Sequence, residues 1–167
     1  FENALVISVD NSGDGASVQI MEGRNGKLRL AERFLRPNSL GGYYSLVTQY
    51  CGFVKDSDEY KLMGLSSYGN RKQFDFNWLI DFKDGELLLN TGYTHTVAPK
   101  APSTHRDEMN FNAAFISKMG AGRRLPGSEF SGFYKDVAAS AQQHLEDVFL
   151  KMAKHYADKT GLRKVCL

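Results

Sequence analysis

The stretch Ala4-Leu-Val-Ile-Ser-Val-Asp10 is rich in apolar and β-branched residues and runs into the turn-forming cluster Asp10-Asn-Ser-Gly-Asp-Gly15. This combination predicts a strand followed by a tight turn. Further strands are predicted over 16–22 and 27–34, joined by Gly23-Arg-Asn-Gly26, where Asn-Gly is a strong hairpin signal. Three strands joined by tight turns predict an antiparallel meander.

Helical signals dominate the rest of the chain. Ser39 is a suitable N-cap for a helix that reaches about Gly52. Shorter helices are predicted over 58–65 and 106–119. The clearest helix is predicted over 131–160, where apolar residues recur every three or four positions before the helix-stopping glycine at 161.

The remaining segments complete a mixed pattern. A small hairpin is predicted over 76–89, with Lys83-Asp-Gly85 as its turn. Residues 94–106 are rich in Pro, Thr, Ser and His and are predicted to be a loop, and residues 164–167 begin a strand. The order of meander, helices, hairpin, long helix and strand predicts a mixed α/β fold.

Composition narrows the class of protein. The 167 residues are 42% hydrophobic and 24% charged, which is typical of a folded globular chain. The net charge of +2, without a Lys/Arg stripe, predicts no nucleic-acid partner, and no apolar run is long enough to predict a membrane span.

Cys51 and Cys166 lie outside any CxxC pair, and we expect free buried thiols in a cytoplasmic protein.

Both ends of the chain adjoin predicted core strands. Because termini usually lie at the surface, we expect residues 1–167 to be a single partial domain, truncated at both ends from a larger protein. The missing strands would leave a sheet edge open at Val165-Cys-Leu167. Open edges pair with other chains, so we expect a homodimer or aggregation through this edge.

Asp10 is the first candidate for chemistry. A carboxylate at a strand end, before a glycine-rich turn, can reach a metal or a metal-bound phosphate. The alternative, which the spacing alone favours, is an Asp that hydrogen-bonds its own turn, and Asp14 fits that alternative better still.

The histidines fall into two pairs. His144 and His155 are about 16 Å apart along the long helix, too far to share a metal, so we expect packed or hydrogen-bonded histidines at the edge of the core. His95 and His105 lie in the predicted loop, where a contact with substrate stays open.

The segment Asp58-Glu-Tyr-Lys-Leu-Met-Gly-Leu-Ser-Ser-Tyr-Gly69 combines charges with glycines. Glu59 and Lys61 begin a short helix, and Gly64 and Gly69 permit close approach of another group to the backbone. This arrangement can line a nucleotide pocket. The alternative is a solvated helix start followed by a glycine turn.

In four ordered stretches the chain resembles the NodU/CmcH-type carbamoyltransferases. The most specific is the Glu-x-Lys-Leu-Met-Gly-Leu block that begins at Glu59. The four stretches are residues 4–10 with their turn, Asn38-Ser-Leu-Gly-Gly-Tyr-Tyr-Ser-Leu-Val-Thr-Gln-Tyr-Cys-Gly-Phe53, the 58–69 segment, and Asp136-Val-Ala-Ala-Ser-Ala-Gln-Gln-His-Leu-Glu146.

The resemblance implies a partial actin/sugar-kinase-like (ASKHA) domain, similar to the universal tRNA threonylcarbamoyltransferase. In such enzymes a separate YrdC-like domain makes carbamoyl-adenylate from carbamoyl phosphate and ATP, and the ASKHA domain transfers the carbamoyl group to a hydroxyl of a small-molecule acceptor. The resemblance also implies a divalent metal, expected to be iron, held by two histidines and two aspartates. Asp10 matches one of these aspartates.

By analogy with the tRNA-modifying relatives, Glu59, Lys61, Gly64 and Gly69 would approach the adenylate. The chain departs from the family pattern at Asn11, where Gly is frequent, and at Ser66-Ser67, where Ala-Pro is frequent.

The isolated chain is expected to be inactive, because the other metal ligands are expected outside it and one carboxylate binds a divalent ion weakly. Two other functions stay open: a non-catalytic actin-like interaction domain, and half of a sugar- or acetate-kinase-type phosphotransferase. A histidine pair upstream and a YrdC-like domain downstream would favour the carbamoyltransferase over both.

Overall fold

The computed structural model describes residues 1–13, 15–97 and 108–167. Groups of strands are separated by pairs of helices along the chain, and a 3-10 turn lies at Thr91–Tyr93. In chain order the strands and helices are β1 (Asn3–Gly13), β2 (Ala16–Arg24), β3 (Lys27–Phe34), α1 (Leu40–Tyr50), α2 (Glu59–Ser66), β4 (Ile80–Lys83), β5 (Glu86–Leu89), β6 (Thr94–Val97), β7 (Glu108–Phe111), α3 (Ala113–Met119), α4 (Gly132–Thr160) and β8 (Val165–Cys166).

These elements form two compact units. The first contains Phe1–Tyr43, Ile80–Leu89 and His144–Leu167, and the second contains Tyr44–Leu79 and Asn90–Gln143. The architecture is mixed α/β, with a mixed sheet and one long helix, and is consistent with a partial ASKHA fold.

The first unit is built on a four-stranded sheet with the order β3-β2-β1-β8. The predicted meander is confirmed, since β1, β2 and β3 pair antiparallel, and β8 lies parallel to β1. Asn25 and Gly26 have φ angles of 51° and 72°, as the predicted Asn-Gly hairpin turn requires. β1 runs beyond the predicted end at residue 10, but its regular pairing with β2 breaks between Val9 and Gly13.

The β4–β5 hairpin of this unit is attached to α4. Lys151 forms a 2.8 Å ion pair with Asp81, and the Tyr156 hydroxyl donates to the Gly85 carbonyl. His144 Nε2 lies 2.7 Å from the Ile80 carbonyl oxygen, and the His155 ring packs edge-on to a hairpin phenylalanine. The prediction that both helix histidines are packed or hydrogen-bonded at the core is therefore confirmed.

The second unit corrects two predictions. Residues 94–97 are a strand, not a loop, and they pair antiparallel with 108–111, which was predicted to be helical. The helix starts later, at Ala113, because the Asn112 side chain caps it by accepting from the Phe115 N–H. The rest of the predicted loop, including His105, lies outside the described residues, as does Asp14.

Both cysteines are free thiols, as predicted. Cys51 is buried, and burial raises its pKa to about 12, whereas Cys166 is only partly buried. None of the helices in the described part of the chain is long and apolar enough to cross a membrane.

Candidate functional site

Asp10 lies exposed near the end of β1, just after the regular pairing with β2 stops at Val9. Its Oδ1 accepts a 2.6 Å hydrogen bond from the Asn11 N–H. Its Oδ2 faces Gly13, where an added Cβ would come within 3.3 Å. The alternative interpretation of Asp10, a bond within its own turn, therefore holds for one carboxylate oxygen.

The start of α1 fixes the backbone that carries Asp10. The Ser39 hydroxyl donates to the Asn11 carbonyl at 2.8 Å and accepts from the Gly42 N–H, so it also caps α1 as predicted. An added Cβ at Gly41 would lie only 2.5 Å from the Asn11 nitrogen. Only glycine permits this close packing of helix on strand.

The described residues do not form a metal centre by themselves. Within 1–13, 15–97 and 108–167, no three His, Cys, Asp or Glu side chains lie close enough together to hold a metal ion. A single exposed carboxylate suits one position around a hard divalent cation, whereas tight binding needs several ligands. Asp10 alone thus supplies one carboxylate, and the described residues do not place two further ligands beside it.

Glu59 and Lys61 both have partners within the chain. Glu59 Oε1 accepts from the Ser45 hydroxyl at 2.6 Å and from the Asp56 N–H at 2.7 Å. Lys61 Nζ pairs with Asp58 Oδ1 at 2.8 Å. This hydrogen bond raises the pKa of Lys61 and lowers the pKa of Asp58, so both groups stay charged at neutral pH. Glu59 secures the start of α2, and Lys61 stands exposed beside it.

One face of α2 and the turn after it carry large exposed side chains. Tyr60, Met63 and Tyr68 are 62%, 55% and 75% exposed. Gly64 lies on the same face by helical spacing, and an added Cβ there would meet nothing within 4 Å. We call Tyr60, Met63, Gly64 and Tyr68 the α2 surface. It offers two aromatic side chains and an uncovered helix backbone.

Sequence reasoning missed the α2 surface. Residues 60, 63, 64 and 68 have the spacing of one helix face, but apolar residues at this spacing usually predict burial. The opposite face, with Leu62 and Leu65, is the buried one.

Gly69 packs against the first part of α4. An added Cβ would lie 2.0 Å from the Lys135 carbonyl oxygen, so the close approach predicted at Gly69 is to the chain's own helix. The following residues are bound to the same helix: the Asn70 N–H donates to Asp136 Oδ1, and the Ser140 hydroxyl donates to the Asn70 carbonyl. Two of the sequence blocks that carry the resemblance therefore meet in the structure.

The predicted site residues are thus distributed over both compact units. Glu59, Lys61 and Gly64 lie together on α2 and Gly69 lies in the segment after it, all in the second unit, whereas Asp10 belongs to the first. His95 lies exposed on β6.

A comparison of the chain with known protein families agrees with the fold and with the sequence blocks described above. The family described as carbamoyltransferase N-terminus matches the whole chain, residues 1–167. The chain belongs to this family of transferases.

Three relatives match over 100% of this chain. The uncharacterized protein sll1178 of Synechocystis sp. is 34% identical. The nodulation protein NolO of Bradyrhizobium diazoefficiens is 30% identical, and the nodulation protein NolNO of Sinorhizobium fredii is 29% identical. The matched region makes up 26%, 27% and 22% of these proteins respectively, so the chain spans about a quarter of their length.

Proposed function

We propose that the full-length protein transfers a carbamoyl group from carbamoyl-adenylate to a hydroxyl of a small-molecule acceptor. The carbamoyl-adenylate would be made from carbamoyl phosphate and ATP by a YrdC-like domain of the longer protein. The observation that carries the proposal is the match of the carbamoyltransferase N-terminus family to the whole chain. Since the chain spans about a quarter of its relatives, activity is proposed for the longer protein, and the isolated chain is expected to be inactive.

The adenylate is proposed to bind at the α2 surface. The exposed rings of Tyr60 and Tyr68 suit a planar base, because aromatic rings stack with nucleobases. Lys61 provides a cation for the phosphate. The uncovered backbone at Gly64 allows the ligand to approach more closely than any other residue would permit. In this proposal Glu59 keeps the start of α2 in place.

Asp10 is proposed as one ligand of a divalent metal, with iron the expected ion and the other ligands outside this chain. A bound divalent cation would act as a Lewis acid that stabilises developing negative charge. The contribution of this chain is to present the Asp10 carboxylate on a fixed backbone, which Ser39 and Gly41 hold from the start of α1.

Replacing Gly64 by alanine tests the proposed nucleotide site. The methyl group enters open space, and alanine favours the helix interior, so the free energy of unfolding should rise by about 0.5–1 kcal/mol. At the same time the methyl group would separate the ligand from the helix backbone. We expect AMP to bind the full-length protein about tenfold more weakly, a loss of about 1.4 kcal/mol, measured by calorimetric titration.

Gly132→Ala is the matched control, because Gly132 is also helical and an added Cβ there meets nothing within 4 Å, yet it lies outside the α2 surface. Its AMP affinity should equal that of the unmodified protein. Unchanged AMP affinity in Gly64→Ala would remove α2 from the nucleotide site.

A non-catalytic interaction domain is the second candidate function, since exposed tyrosine and methionine side chains are also frequent at protein interfaces. It predicts no AMP binding to the unmodified protein.

The homodimer through the β8 edge stays a prediction, which light scattering on the chain at high concentration can test.

A further inference from the structure

The segment Gly69–Phe74, which we call the anchored loop, follows the α2 surface and is bound by its backbone to α4. We infer that Asp136 and Ser140 are positioning residues that set the place of this loop and, through it, of Tyr68 for nucleotide binding. The inference rests on the proposed function, because it assumes that a nucleotide binds at the α2 surface.

Both ends of the anchored loop are held by hydrogen bonds to its backbone. Asp136 Oδ1 accepts from the Asn70 N–H at 2.7 Å. The Ser140 hydroxyl donates to the Asn70 carbonyl at 3.0 Å and accepts from the Phe74 N–H at 3.1 Å. Ser140 is 1% exposed, so its bonds are shielded from competing water. Two side chains one helical turn apart therefore fix the loop.

Gly69 makes this anchoring possible. Its missing Cβ lets the loop backbone lie directly against the Lys135 carbonyl oxygen, where an added Cβ would be 2.0 Å away. Asp136 is well inside α4, which begins at Gly132, so its carboxylate does not cap the helix and is available to the loop. The contact between the anchored loop and α4 therefore depends on Gly69, Asp136 and Ser140, which come from two different sequence blocks.

The anchored loop has exposed side chains, while backbone groups of Asn70 and Phe74 bond to α4. Asn70, Arg71 and Lys72 are exposed, and Tyr68 precedes them directly. Arg71 also donates to Gln143 Oε1 at 3.1 Å, one more turn along α4. A loop whose backbone is held by Asp136 and Ser140 loses little further freedom when a ligand binds, which favours affinity.

The test compares Asp136→Ala with Asp136→Asn in the full-length protein, with AMP as the probe. Alanine removes the acceptor for the Asn70 N–H, whereas asparagine keeps an oxygen acceptor in the same place. We expect about tenfold weaker AMP binding for Asp136→Ala and affinity within about twofold of the unmodified protein for Asp136→Asn. Hydrogen exchange at Asn70, measured without nucleotide, should accelerate only in the alanine variant.

Gln143→Ala is the control, because it removes a contact to the Arg71 side chain and none of the loop backbone bonds; its AMP affinity should not change by more than about twofold. If the unmodified protein shows no slowing of hydrogen exchange at 59–74 with AMP, the proposed nucleotide site fails. If AMP does slow exchange there, either of two results overturns the positioning role. One is that Asp136→Ala binds AMP as tightly as the unmodified protein; the other is that Asp136→Asn binds AMP as weakly as Asp136→Ala.

Discussion

Replacing Arg124 by methionine is expected to lower the free energy of unfolding by about 3 kcal/mol, because it breaks a buried network of charged hydrogen bonds. Arg124 is only 5% exposed. Its Nε donates to the Cys51 carbonyl at 2.7 Å, just past the end of α1, and its Nη1 donates to the Ser128 carbonyl. The guanidinium also lies 3.9 Å from the centroid of the Phe130 ring.

Methionine would fill much of the space but leave the Cys51 and Ser128 carbonyls without this donor. Arg123→Met is the control, because Arg123 is the exposed neighbour, and it should change stability by no more than about 0.5 kcal/mol. Urea unfolding of the 167-residue chain measures both. Equal midpoints for the two variants would mean that Arg124 does not hold the end of α1.

Gly69→Ala is expected to cost about 3 kcal/mol, near the upper end of the usual range for overpacking. Its Cβ would lie 2.0 Å from the Lys135 oxygen and 2.6 Å from the Asp136 nitrogen, and neither backbone atom can move without displacing α4 or the loop. Urea unfolding gives the stability, and hydrogen exchange at Asn70 gives the local effect.

Gly64→Ala serves as the control for Gly69→Ala, since both glycines come from the same sequence block but Gly64 has open space around it. The two variants should shift the urea midpoint in opposite directions. A Gly69→Ala protein as stable as the unmodified chain would show that the loop does not rest against α4.

Local chemistry made much of the fold predictable. The Asn25-Gly26 turn, the Ser39 cap and the stop at Gly161 are each decided by a few adjacent residues, and each is present in the structure. The β6–β7 pair was not predictable in the same way, because no tight-turn signal such as Asn-Gly joins residues 94–97 to 108–111. The helix after β7 was predicted to begin too early, at residue 106, although Asn112 is a residue type that favours the N-cap position it occupies.

For the candidate site, the sequence predicted which residue types matter but not which neighbours they have in the structure. Sequence patterns indicated that Gly69 needs a close neighbour, but the identity of that neighbour depends on how α4 packs. Arg123 and Arg124 are indistinguishable as an adjacent pair, and only tertiary packing buries one of them. The open backbone at Gly64 likewise depends on which face of α2 packs on the rest of its unit.

Carbamoyl-adenylate is proposed to bind at the α2 surface. Hydrogen exchange of the full-length protein, mixed with carbamoyl phosphate and ATP together or with each alone, tests it most directly. We predict slower exchange at Glu59–Ser66 and in the anchored loop, and more slowing with the two substrates together than with either one. Unchanged exchange in both segments at saturating substrate would contradict binding of the adenylate at the α2 surface.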